Sequence, residues 1–208
     1  ITWTAEDTST TSFGNAAVMA DFNGDGETDL AVSDYTYDAA ASSAVDGRVY
    51  IFYGPLVDAG AGDADAIFDA ENTGDYFGKT VSALDLNGDG YDDIVIGADL
   101  ASPGGLNAAG ESYVIFGKPS NWMADMNLSA LDGTNGFRLD GFHLHGFTGD
   151  SVSSAGDVNG DGLSDILIAG YNVSPDYGMP VVGESYVVFG NADGMVSVPN
   201  YSLSLSGV

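Results

Sequence analysis

Nine residues recur three times along the chain: Asp21-Phe22-Asn23-Gly24-Asp25-Gly26-Glu27-Thr28-Asp29, then Asp85-Leu86-Asn87-Gly88-Asp89-Gly90-Tyr91-Asp92-Asp93, then Asp157-Val158-Asn159-Gly160-Asp161-Gly162-Leu163-Ser164-Asp165. Each copy puts an oxygen-bearing side chain at its first, third, fifth and ninth positions and glycine at its sixth. Alternate residues of a tight loop converge on one point, and Ca²⁺ takes about six to eight oxygen ligands. The glycine supplies a sharp turn, so that the seventh residue can present its backbone carbonyl. Three copies predict about three bound Ca²⁺ ions. Acidic turns without a metal would bring carboxylates together with nothing to offset their repulsion.

The flanks decide what the loops connect. A helix–loop–helix calcium site needs a bidentate Glu at its twelfth position; Val32, Ile96 and Ile168 stand there instead. Short apolar, β-branched runs follow each loop at residues 30–32, 94–96 and 166–168, and others precede it at 17–20, 81–84 and 152–155. Such runs bounded by turn residues read as strands, so each loop joins two neighbouring strands, and its ninth-position Asp replaces the missing Glu.

The surrounding sequence repeats with the loops, whose first Asp recurs at 21, 85 and 157, a period of 64 and then 72 residues. Phe13-Gly14 and Phe77-Gly78 each precede a loop; the third unit aligns Gly149-Asp150 there, with Phe147 nearby to take the place of the lost Phe. After the second strand comes a Gly-, Ala-, Ser- and Pro-rich connection. A third strand then opens at Gly47, Gly110 and Gly183 and closes at Gly54, Gly117 and Gly190. Fourth strands are expected at 66–69, 137–139 and 201–205. The connection from Lys118 to Asn135, with Trp122, Met126 and Leu128, either carries one helical turn or covers a blade edge. Four short strands per unit, repeated, predict an all-β fold of four-stranded antiparallel β-propeller blades: blade one over 7–70, blade two over 71–141, blade three over 142–208. Residues 1–6 are expected to be an orphan outer strand of a preceding blade. Propellers close with about four to eight blades, so the remaining blades are expected from the same polypeptide or from another subunit, and the 208-residue chain alone is expected to associate.

Composition narrows the partners. The chain has 31 acidic residues against four basic ones, a net charge of −27, and no cysteine. Nothing could neutralise phosphates, which argues against nucleic acid. No apolar run is long enough for membrane insertion. The absence of cysteine rules out disulfides and thiolate metal sites. Weak calcium loops suffice outside the cell, so the protein is expected to be extracellular or at the cell surface.

Phe-Gly, the D-x-N-G-D-G-x-x-D loop and the apolar strand after it resemble the FG-GAP repeat, which builds the seven-bladed propeller of integrin alpha subunits and also occurs in bacterial surface proteins. The resemblance implies metal ligation by Asp21, Asn23, Asp25, the Glu27 carbonyl and Asp29; by Asp85, Asn87, Asp89, the Tyr91 carbonyl and Asp93; and by Asp157, Asn159, Asp161, the Leu163 carbonyl and Asp165. It also implies three blades of a larger, about seven-bladed ring, with the metal stiffening each blade rather than doing chemistry. The departures are the missing third Phe-Gly and degenerate segments after the second strands.

No catalytic constellation emerges: there is no Gly-x-Ser-x-Gly elbow, and the only histidines, His143 and His145, share one short stretch. The chain is therefore not expected to be an enzyme. The leading expectation is a calcium-stabilised extracellular module for adhesion, protein interaction or surface assembly. The alternative is a carbohydrate-binding or enzyme-accessory module, for which Tyr35, Tyr37, Tyr171 and Tyr177 are the candidate stacking residues.

Overall fold

The computed structural model describes residues 1–4, 12–38, 45–119, 122, 125–172, 183–192 and 200–202. A two-residue strand, β1 (Trp3–Thr4), comes first. Blade one follows as β2 (Ala17–Ala20), β3 (Asp29–Asp34) and β4 (Arg48–Phe52); after a short β5 (Ala59–Gly60) it ends in β6 (Ala66–Asp69). Blade two is β7 (Thr80–Leu84), β8 (Asp93–Ala98) and β9 (Glu111–Ile115), then a short β10 (Asp125–Met126), then β11 (Gly136–Asp140). Blade three contributes β12 (Ser151–Gly156), β13 (Asp165–Gly170) and β14 (Glu184–Val188), and the last strand described is β15 (Asn200–Ser202). Within every blade neighbouring strands run antiparallel. The helical content among the described residues is short 3₁₀ turns, one of them at Leu128–Ala130 in the long connection of blade two. The fold is all-β, built of propeller-type blades.

All six residues of β3 and all six of β8 are buried. This explains why the second strands of the first two units read as apolar runs rather than alternating ones; in β13 Leu167 is exposed. One core lies between blades one and two, around Ile51, Phe68, Phe77, Ile94, Tyr113 and Trp122. A second lies between blades two and three, around Val95, Val114, Phe116, Phe137, Ile166 and Ile168. Blade contacts are tight enough to require glycine. A side chain at Gly47, which sits at φ +92°, would strike the Phe77 backbone, and one at Gly110, at φ +84°, would strike Thr148.

That second contact corrects the alignment of the third unit. Thr148-Gly149, not Gly149-Asp150, occupies the place of Phe77-Gly78: the amides of Gly14, Gly78 and Gly149 donate to the equivalent carbonyls of Ser33, Gly97 and Ala169. The register between β12 and β13 shifts between Ser154 and Gly156. This β-bulge absorbs the extra residue that displaced the sequence alignment. Phe147 does not take the missing place; it stacks on Tyr171, with 4.9 Å between ring centroids.

The short strands carry a second correction. β10 runs parallel to β6 along the outer edge of blade one, and β15 runs parallel to β11 along the outer edge of blade two. Residues 200–202 therefore do not start a fourth strand for blade three, as expected of 201–205; residues 203–205 lie outside the described part. In the same way β5 of blade one runs parallel to β1. β5 and β10, in the connections between third and fourth strands, and β15, which follows β14, thus each run parallel to a strand that comes earlier in the chain.

Candidate cation loops

Antiparallel order places the first-to-second and third-to-fourth connections at one end of each blade, so the three acidic loops share one rim. Their internal geometry is the same in all three. The first-position carboxylate accepts three backbone amides from within its loop: Asp21 from Gly24 (2.7 Å), Asp25 (3.2 Å) and Gly26 (3.0 Å). Asp85 and Asp157 each repeat all three bonds. The third-position Asn accepts from the fifth-position amide and donates Nδ2 to the fifth-position carboxylate, at 3.0 Å for Asn23 and Asp25. Left-handed glycines at the fourth and sixth positions, φ +71° and +85° in the first loop, make this winding possible.

The ninth-position Asp does a different job. Asp29, Asp93 and Asp165 are fully buried. One oxygen of each accepts the second-position amide of its own loop: Phe22 to Asp29 at 2.9 Å, Leu86 to Asp93 at 2.9 Å, Val158 to Asp165 at 2.8 Å. The other accepts a glycine amide just past the third strand: Gly54, Gly117 and Gly190 at 2.8–2.9 Å. The ninth residue therefore bolts each loop to its blade. Burial pushes the Asp93 carboxyl up to about 7; the Gly117 and Leu86 amides oppose that shift, and the charges of Asp89 and Asp85 add to it. Burial likewise raises Asp29 against the amides of Gly54 and Phe22.

The donors that the sequence nominates in each loop are all oxygen: the first- and fifth-position carboxylates, the third-position Asn, the seventh-position carbonyl and the ninth-position carboxylate, which lies buried on two amides. Among the described residues, no three His, Asp or Glu side chains form a ready-made metal cage. The fit to a hard cation rests on the mixed set, in which Asn and a carbonyl complete what the carboxylates begin.

The other sequence candidates are structural neighbours rather than a site. Tyr35 meets Tyr76 across the blade junction, and Tyr37 lies under the Arg48 guanidinium, 3.8 Å from ring centroid to Cζ. Tyr171 remains exposed on its far side, and Tyr177 lies outside the described residues. His143 faces Glu184 at 3.8 Å, while the His145 ring lies 6.3 Å from that of Phe147.

Sequence reasoning missed a half-buried ionic cluster. Arg138 binds Glu71 at 2.7 Å and Asp140 at 2.6 Å and lies 3.7 Å from Glu111, which accepts the Tyr113 hydroxyl at 2.6 Å. A lone basic residue in an acidic chain was the available signal. It also missed the contacts between successive loops. Their trace in sequence is the pairing of a fourth-position Gly in one loop with a bulky seventh residue in the next.

Residues 13–52 and 77–115 match the FG-GAP repeat family. Relatives include integrin alpha-V of Gallus gallus, 28% identical over 191 residues, which is 90% of this chain and 16% of that protein. Integrin alpha-5 of Xenopus laevis is 32% identical over 140 residues, 65% of this chain and 12% of that protein. Integrin alpha-4 of Xenopus laevis is 30% identical over 168 residues, 77% of this chain and 14% of that protein. The chain thus spans a small fraction of the length of the proteins it is similar to.

Proposed function

From a chain that carries FG-GAP repeats like those of integrin alpha subunits, we propose a calcium-stabilised, extracellular β-propeller module. It is non-catalytic and serves adhesion, protein interaction or surface assembly. The observation that carries this reading is the threefold loop: one hydrogen-bond pattern, repeated without change, gathers the first-, third- and fifth-position oxygen-bearing side chains in all three copies. Asp21, Asn23, Asp25, the Glu27 carbonyl and Asp29 hold the first ion; the equivalent residues from Asp85 to Asp93 and from Asp157 to Asp165 hold the other two. The ions neutralise carboxylates that would otherwise repel, and they tie the loop ends to the buried ninth-position Asp.

The blade bounds 7–70, 71–141 and 142–208, with residues 1–6 belonging to a preceding blade, form part of the same proposal. Its support is that β5 lies on β1 as β10 lies on β6. Further blades of the same polypeptide or of another subunit then cover the flank of blade three. Among the described residues, no helix is long and apolar enough to cross a membrane.

Thermal melting tests the calcium reading. At about tenfold excess over its Kd each of three weak sites adds about 1.4 kcal/mol, about 4 kcal/mol together, and each kcal/mol moves the midpoint of a domain this size by about 2–4 °C. Millimolar Ca²⁺ is expected to raise the melting temperature by about 10 °C over excess chelator. Identical melting in the two conditions would refute it. A second reading, carbohydrate binding, is favoured by one feature, the exposed Tyr171 ring stacked on Phe147. Glycan-array binding lost in Tyr171→Ala would support it.

A further inference from the structure

We propose that the first and second cation loops are each held in their binding shape by the blade that follows. Tyr91, Asp92 and Leu163 are then positioning residues for the site one blade earlier. The inference rests on the calcium reading above and adds residues to the site that lie outside its ligand set.

Successive loops touch in a repeated way. The Tyr91 ring, from the seventh position of the second loop, lies against Gly24 of the first; a Cβ at Gly24 would collide with it. Leu163, from the seventh position of the third loop, lies against Gly88 of the second in the same manner. Nothing approaches a Cβ at Gly160 within 4 Å. The first junction has an added clasp. The Asp92 carboxylate accepts the Asp21 amide at 3.0 Å, and the Asp92 amide donates to the Asp21 carbonyl at 3.1 Å. Asp21 is the residue whose own carboxylate organises the loop, so fixing its backbone fixes the first ligand. At the second junction Ser164 stands in the place of Asp92, and among the described residues no equivalent bond joins it to Asp85. The second-position side chains set the third loop apart from the other two: Phe22 is 1% exposed, Leu86 2% and Val158 55%.

Binding to a loop already ordered avoids the entropy of ordering it. The first loop, clasped and backed, should bind Ca²⁺ most tightly, the second less so, and the third least. The Tyr91 carbonyl also belongs to the donor set of the second loop. A cation there fixes the residue whose ring backs the first loop, so the two sites are coupled, and the coupling is reciprocal.

The test is calorimetric titration of the 208-residue chain with Ca²⁺, all variants compared at one protein concentration. Asp21→Ala marks the heat that belongs to the first loop. Tyr91→Ala is expected to weaken that site about tenfold, and Tyr91→Leu, which copies Leu163, to restore it. Asp92→Ser, which copies Ser164, is expected to weaken the same site several-fold, and as a partly exposed substitution it tests the clasp without opening the core. In an Asp21→Ala background the tenfold weakening assigned to the first site should be gone, and any residual change from Tyr91→Ala, whose carbonyl serves the second loop, should be smaller than the change seen with Asp21 present. Three sites of equal affinity, unmoved by Tyr91→Ala and Asp92→Ser, would overturn the inference and leave the calcium reading standing. A Tyr91→Ala effect that persists in full without Asp21 would place its action on the second loop and overturn it also. No calcium heat in the wild type would remove the calcium reading itself.

Discussion

Glu111 sits at the opening of β9, 2% exposed, with its carboxylate on the Tyr113 hydroxyl and Arg138 nearby. Burial pushes it up to about 7 from an ordinary 4.5; Tyr113 and Arg138 oppose the shift, and Asp140 and Asp75 add to it. The folded state therefore keeps a proton that the unfolded chain releases. Between about pH 4.5 and 7 the folded protein binds more protons, so this residue's contribution to stability falls as pH rises through that window. Glu111→Gln should flatten part of the decline in urea midpoint between pH 5 and 8 and be at least as stable as wild type at pH 8. A wild-type slope in the variant would contradict this. Residues of this kind are hard to read from sequence. Glu71 and Arg138 meet across 67 positions, and nothing in their local spacing brings them together. The loop residues are legible because position, type and repetition all lie within nine consecutive residues. Even there, the division of labour stayed hidden: Asp29 and Asp21 look alike in sequence, yet one is buried on two amides and the other gathers the loop.

Trp122 shows what a connection can do between strands. Its ring lies 5.2 Å from Phe22 and from Phe68, its backbone amide donates to the Tyr53 hydroxyl at 2.7 Å, and its Nε1 donates to the Phe116 carbonyl at 3.0 Å. It fills the junction of blades one and two from the connection between β9 and β11. Trp122→Ala should lower stability by about 3–5 kcal/mol, and Trp122→Phe by less, as read from urea unfolding. A loss under about 1 kcal/mol would mean that the junction closes without it. The strands themselves were plain in sequence, since apolar runs and turn residues alternate cleanly. The fate of the connections was not. β10 and β15 are too short to show a period, and their partners lie in another repeat. The bulge in β12 was hidden for a related reason: one inserted residue leaves composition unchanged and only shifts the count.

Across the whole molecule, the apolar flank of blade three stands out. Leu167, Val187 and Phe189 are 38%, 43% and 53% exposed, while their counterparts Val95, Val114 and Phe116 in blade two are at most 6% exposed. Such a face in water drives association, and the net charge of −27 opposes it. Sedimentation at micromolar concentration should find self-association that strengthens as salt screens the charge, and Val187→Lys should reduce it. A compact monomer at every salt concentration would show the flank to be tolerated. The number of repeats in this chain was legible at this scale, because each unit announces itself with its loop. How one unit seals the next was not.

The parallel strands that reach backward give the chain a direction in time. The outer edge of β6 is capped by Asp125–Met126, and that of β11 by Asn200–Ser202. As the polypeptide leaves the ribosome, a blade can pair its four strands and still present a raw edge until much of its successor has been made. Unpaired edges invite pairing with other chains. A ribosome that stalls between blades therefore leaves a more adhesive product than one that stalls once β10 or β15 has cleared the exit tunnel. The hazard during synthesis should rise and fall once per repeat, in step with the code for the acidic loops.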